Sequence, residues 1–135
     1  NSAVFGVPQV AWGASSPTLS DKVQYPYFVR TFPPDSFQGS AMWAWMVQFD
    51  IPSAAFFYAK DDPYAEGLYQ ATLEAAADAG QTFRITGVSI PYMPNPADYN
   101  LTLAVEAVRG IQTSGSRFVI LAMGRTEATS AMYVM

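Results

Sequence analysis

From Ser36 onward the chain alternates stretches of helical apolar spacing with short runs that are apolar at nearly every position, and this alternation limits the fold more than any other feature. Ser53 to Ala59 (Ser-Ala-Ala-Phe-Phe-Tyr-Ala) is continuously apolar after its first residue, as expected of a strand covered on both faces. Phe118 to Met123 reads as a second such buried strand. Thr82 to Ile90 holds another, with Phe83, Ile85, Val88 and Ile90 as its apolar members and Gly87 as a bulge position. Between them fall the helical stretches. The first is expected to start at an N-cap on Ser36 and run to Phe49, with Phe37, Ala41, Trp45 and Phe49 at spacings of four and Met42 and Met46 beside them on one apolar core face. The second starts at Asp62-Pro63, runs from Tyr64 to Ala79 and stops at Gly80, with Glu66, Gln70, Glu74 and Asp78 on its solvated side. The third starts at Asn95-Pro96 and carries Leu101, Ala104, Val105, Val108 and Ile111 at core spacing, and a last helix is expected over Thr126 to Met135. Such an order implies an α/β fold, a parallel sheet with helices on both faces. Ligands of these sheets lie beyond the carboxyl ends of the strands, which marks Gly13 to Pro17, Lys60 to Tyr64, Pro91 to Asn95 and Gly124 to Glu127.

The residues before Ser36 are organised differently. Val7 to Trp12 reads as one strand and Tyr27 to Thr31 as another, with a small-residue turn after the first (Gly13-Ala14-Ser15-Ser16-Pro17). That turn is either a plain surface loop or one whose backbone N–H groups a ligand approaches closely. Leu19 to Gln38 joins the two halves, and its Pro33-Pro34 step stiffens the crossing.

Composition removes several classes of function. Only 13% of the 135 residues are charged and half are apolar, so the chain is expected to bury a substantial core. The net charge is −4 and no basic cluster is present, which argues against nucleic acid as a partner. There is no cysteine and no histidine, hence no disulfide, no thiolate chemistry and no imidazole base or ligand. No phosphate-cradling glycine motif and no nucleophile elbow occurs, so no cofactor is expected and an enzyme of flavodoxin type is the least supported class. The chain begins without Met and stops at Met135 inside an apolar stretch, so it is expected to be an internal fragment of a longer protein.

Binding of a small zwitterion is better supported. Hydroxyl and backbone donors at Ser15 and Ser16 suit a carboxylate, and the charge of Asp35 with the ring of Tyr64 suits an ammonium. The purely structural alternatives are a helix-start carboxylate for Asp35 and an aromatic packed on the sheet for Tyr64.

With the loops placed, the chain resembles the ligand-binding ectodomains of the type I periplasmic-binding fold: class C G-protein-coupled receptors, the amino-terminal domains of glutamate-receptor-like channels, and receptor guanylate cyclases. The resemblance is carried by Val7-Pro8-Gln9-Val10, Ser15 to Lys22, Tyr25 to Thr31, Pro34-Asp35, Phe37-Gln38, Ala41-Met42 and Asp61-Asp62-Pro63-Tyr64. It implies a two-lobed clamshell that closes on an amino acid or similar molecule. Residues 1–30 would end lobe one, 31–35 would form a hinge crossing, and 36–135 would make an incomplete lobe two. It implies Ser15 at the ligand carboxylate with Ser16 beside it, Asp35 at the ammonium and Tyr64 over it. Gly13 stands where the glutamate receptors carry a ligand-facing Ser, so only its backbone could donate; Ala65 replaces a common Gly. The resemblance further implies a receptor on the extracellular or periplasmic face of a plasma membrane, paired as a homo- or heterodimer through lobe one and attached to the membrane by other parts of the chain. A soluble solute-binding protein of an amino-acid transporter shares the fold and is the alternative. The sequon Asn100-Leu101-Thr102 offers Asn100 as a glycosylation site.

Overall fold

The structure, a computed structural model, describes residues 5–80, 83–95, 97, 100–124 and 127–129. In order the elements are β1 (Gln9–Ala11), a 3-10 turn (Pro17–Ser20), β2 (Phe28–Arg30), α1 (Asp35–Gln48), β3 (Ser53–Lys60), α2 (Pro63–Asp78), β4 (Arg84–Pro91), α3 (Leu101–Thr113) and β5 (Phe118–Ala122). They build two parallel sheets, one of β1 and β2 and one in the order β4-β3-β5.

Strand β3 is central because its residues are apolar on both faces. Ala55 and Phe57 pack with Ile90 against Ala104, Ala107 and Ile111 of α3, while Phe56 packs on the other side against Ala65 and Leu68 of α2. Met46 of α1 closes that second side over Ala54 and Ile51. Helices therefore cover both faces of a parallel sheet, as the alternation of strand and helix predicts. Strand β5 departs from the expectation of a buried strand. Among the described residues it pairs only with β3, and Phe118, Val119 and Leu121 are each more than a third exposed.

Helix α1 corrects the sequence reading twice. Its first residue is Asp35, with Pro34 in the cap position and no capping side chain, so Ser36 is already inside the helix. Its buried stripe is Asp35, Gly39, Trp43 and Met46, whereas Phe37, Trp45 and Phe49 are 66%, 50% and 62% exposed. Close approach decides this. A Cβ on Gly39 would lie 2.6 Å from the carbonyl carbon and Cβ of Ala71, and 2.7 Å from the amide of Thr72, so α2 docks where α1 has no side chain. Trp43 then meets Phe83 edge to face at 5.0 Å.

Gly87 is not a bulge either, because β3 and β4 pair without interruption from Ser53↔Arg84 to Lys60↔Pro91. The Tyr69 ring occupies the space a side chain would need: a Cβ on Gly87 would fall 2.5 Å from its hydroxyl oxygen. Tyr69 also stacks on Tyr58 at 4.8 Å.

Helix α2 starts as expected, with the Asp62 side chain accepting from the Tyr64 amide and Pro63 in the first turn. Gly80 follows its end with φ +63°. Along its polar row Gln70, Glu74 and Asp78 are exposed, but Glu66 is half-buried and its Oε1 accepts from the Asp61 amide at 3.1 Å. Helix α3 is capped by Asn100, whose Oδ1 accepts from the amides of Thr102 and Leu103, rather than by Asn95, and Pro96 lies outside the described residues. Leu101 is exposed, and Ala107 joins Ala104, Val108 and Ile111 on the buried side. Of the last expected helix only residues 127–129 are described, and they are helical; the remainder lies outside the described residues. No helix among the described residues is long and apolar enough to cross a membrane.

The Gly39 contact yields a direct test. Gly39→Ala gains about 1 kcal/mol of helix propensity but overpacks a backbone contact, which costs about 1–3 kcal/mol and leaves separation of α1 from α2 as the relief. The expected outcome is a lower melting temperature by circular dichroism for Gly39→Ala, with Gly13→Ala unchanged because a Cβ there meets nothing within 4 Å.

Candidate functional site

The loop after β1 is shaped by one cation. Arg30, at the end of β2, donates through Nη1 to the carbonyls of Ala14, Ser15 and Ser16 at 3.2, 3.0 and 3.0 Å, and through Nη2 to Ser20 Oγ. Three consecutive carbonyls are thereby gathered on a single guanidinium, as its planar fork of donors permits. The Ser15 carbonyl accepts a second bond, from the Asp35 amide at 3.0 Å, which ties the loop to the first residue of α1. Ser16 Oγ pairs with Thr18 Oγ1 at 2.8 Å. A Cβ on Gly67 would lie 4.0 Å from Pro17, so this loop also borders α2.

Asp35 is completely buried. Its Oδ1 accepts from Gln38 Nε2 at 3.1 Å, and its Oδ2 is buried with no hydrogen-bond partner among the described residues. Leaving a buried acceptor unsatisfied costs about 1–3 kcal/mol, and more for a charged group, so a donor placed against this oxygen would be favoured. Gln38 Oε1 in turn accepts from the Tyr64 hydroxyl at 3.1 Å. Burial pushes the Tyr64 phenol above its ordinary value, with the charges of Asp35 and then Asp62 adding to the effect. One connected set thus runs from the Ser15 carbonyl through Asp35 and Gln38 to Tyr64.

Of the residues singled out in the sequence, Ser15, Asp35 and Tyr64 are brought together, with Ser16 next to them under the same Arg30. Gly13 is exposed and its neighbourhood is open. Two residues of the set were missed as site residues, Arg30 and Gln38. Both left a signal. Gln38 stands three positions after Asp35, where helix side chains meet, and Arg30 is a lone cation closing an aromatic strand in a chain poor in charge. The paired Asp61-Asp62 is a turn and a cap: Asp61 has φ +68° and Asp62 caps α2.

The other carboxyl-end loops form a second shared rim. The Tyr92 amide donates to the Lys60 carbonyl at 3.0 Å, and the Met93 amide donates to Oε1 of the buried Glu127 at 2.6 Å.

A parallel sheet covered by helices, with polar groups converging where its strands end, is the layout of a ligand-binding lobe, and the chain belongs to the family described as receptor family ligand binding region, which matches residues 2–134. Among individual relatives it is 28% identical to metabotropic glutamate receptor 6 of Oryctolagus cuniculus over 123 residues, 87% of this chain and 13% of that receptor. It is likewise 28% identical over 123 residues to metabotropic glutamate receptor 8 of Homo sapiens, 87% of this chain and 12% of the relative. The chain therefore spans a small part of the length of the relatives it matches. Their names are those of receptors rather than enzymes.

The perturbed phenols give a pH test. Tyr69 is shifted upward too, by burial first and then by Tyr58. A phenol whose folded value lies above its unfolded one stays protonated in the fold while the unfolded chain ionises, so its contribution is intact below the ordinary value of 10.0 and is lost as pH rises past it. The melting temperature should fall above that pH, and Tyr64→Phe should make the fall shallower. An identical slope in the variant would contradict the assignment.

Proposed function

We propose that this chain is the small-molecule-binding region of a membrane receptor that senses an amino acid or a close analogue by closure of two lobes. The observation that carries the reading is the buried Oδ2 of Asp35, which has no hydrogen-bond partner among the described residues, on a carboxylate whose other oxygen, Oδ1, bonds the Gln38–Tyr64 pair. A ligand ammonium supplies the donor this oxygen lacks, and the Tyr64 ring offers a face to the same cation. Ser15 and Ser16 would meet the ligand carboxylate through hydroxyl and backbone groups, and Gly13 through its backbone. In this reading residues 1–30 belong to lobe one, 31–35 to a hinge crossing and 36–135 to lobe two. Two separate sheets, with Pro33 and Pro34 between them, support that division.

Family membership and the metabotropic glutamate receptor relatives favour a receptor over a transporter's solute-binding protein. Placement on the outer face of a plasma membrane, pairing through lobe one and glycosylation at Asn100 belong to the same proposal. Asn100 is exposed, and its Oδ1 rather than its Nδ2 makes the cap, so the atom that takes a glycan is not spent on the helix.

The test is isothermal calorimetry of the full-length protein against a panel of L-amino acids. One or more should bind, and Asp35→Ala should weaken binding about ten- to a hundredfold, the worth of a charge-assisted hydrogen bond. Unchanged affinity in Asp35→Ala would remove Asp35 from the ammonium site, and no heat from any amino acid would overturn the reading.

A further inference from the structure

We infer that Gln38 is the residue that fixes the hydrogen-bond polarity of the Asp35–Tyr64 pair and so makes the site select an amine over a hydroxyl at the same position. The inference rests on the amino-acid reading above, and it assigns Gln38 a positioning role rather than contact with ligand.

The direction of each bond is chemically forced. A carboxylate only accepts, so the Gln38 group facing Asp35 Oδ1 at 3.1 Å must be the amide nitrogen. Its carbonyl oxygen is then the atom facing Tyr64 at 3.1 Å, and the Tyr64 hydroxyl must spend its one proton on it. Flipping the amide would set an oxygen against the carboxylate and an N–H₂ against the phenol, at the cost of the charge-assisted bond. With Gln38 in place Tyr64 has only lone pairs left to offer, and Asp35 has only its unpaired Oδ2. Both ends of the bridge are therefore acceptors.

A ligand ammonium brings three protons to such a place, whereas a hydroxyl brings one proton and two lone pairs. The hydroxyl can satisfy Asp35 or Tyr64 but not both, and its lone pairs face acceptors. Without Gln38 the phenol proton is free to rotate toward the ligand, and a hydroxy acid becomes nearly as acceptable as the amino acid. Position in the fold favours this role. Gln38 precedes Gly39, where α1 is pressed on α2, so its backbone is held at the tightest point of that packing.

Two experiments on the full-length protein decide the matter. In the first, without ligand, Tyr64 ionisation is followed by absorbance at 295 nm as the difference from Tyr64→Phe. Gln38→Glu, which puts a carboxylate on the phenol proton, should move this titration to higher pH than in the unsubstituted protein; an unmoved titration overturns the bridge. In the second, calorimetry compares L-alanine with L-lactate and L-glutamate with 2-hydroxyglutarate. Gln38→Met should reduce the preference for the amine about tenfold, the value of one hydrogen bond to a charged group. Equal weakening of both members of a pair would mean a merely structural side chain and overturn the selective role. If neither pair binds the unsubstituted protein, the amine selection fails with the amino-acid reading for these ligands, while the titration still decides whether the bridge exists.

Discussion

Helices α1 and α2 meet at a glycine, and the polar set depends on that meeting. Gly39 lets the α2 backbone at Ala71 and Thr72 come within a distance that any side chain would forbid. Asp35 lies one turn before Gly39 on the same helix face, and Tyr64 lies two turns before Ala71 on the other helix. The crossing therefore places the two helix starts side by side, which is what allows Gln38 to touch both Asp35 and Tyr64. Thr72, fully buried at the crossing, returns its hydroxyl to the Leu68 carbonyl at 2.8 Å and so adds no unmet polar group there.

The second dependence is on Arg30. One guanidinium holds three successive carbonyls of the loop after β1, and the loop holds Asp35 by its amide. The β1–β2 side of the molecule and the helical side thus share Ser15 as a junction, since its carbonyl accepts from both Arg30 and Asp35. Phe28 supports the arrangement from within, buried with the guanidinium carbon 5.9 Å from its ring centre.

The sequence disclosed most of the element order, because the period of apolar residues separates helix from strand without knowledge of what they pack against. Asp62-Pro63 and Gly80 marked both ends of α2 through local chemistry alone. The position of helix α1 along the chain agrees with the sequence pattern, and Met46 faces the core with Met42 half-buried beside it, but the row Phe37, Ala41, Trp45 and Phe49 faces outward. Large apolar residues at Phe37, Trp45 and Phe49 outweighed a single glycine in the pattern, although closeness of backbones rather than side-chain size selected the contact. Gly87 shows the same limit: whether a strand glycine bulges or receives a ring depends on Tyr69, distant in sequence. For the candidate site, residue types suggested Ser15, Asp35 and Tyr64, but the link among them runs through Gln38. A neutral amide has no distinctive signature until its two neighbours are known.

The central position of β3 has a consequence for how the chain comes to be folded. Its partner β4 follows after one helix, but its other partner, β5, begins only at Phe118, after two. As the chain leaves the ribosome, α1, β3 and α2 can pack through contacts near in sequence, while one edge of β3, rich in Ala and Phe, waits for the later strand. During that interval an open apolar edge is available to any passing strand. Growth from the amino end thus lets the polar set around Asp35 assemble before both edges of β3 are paired.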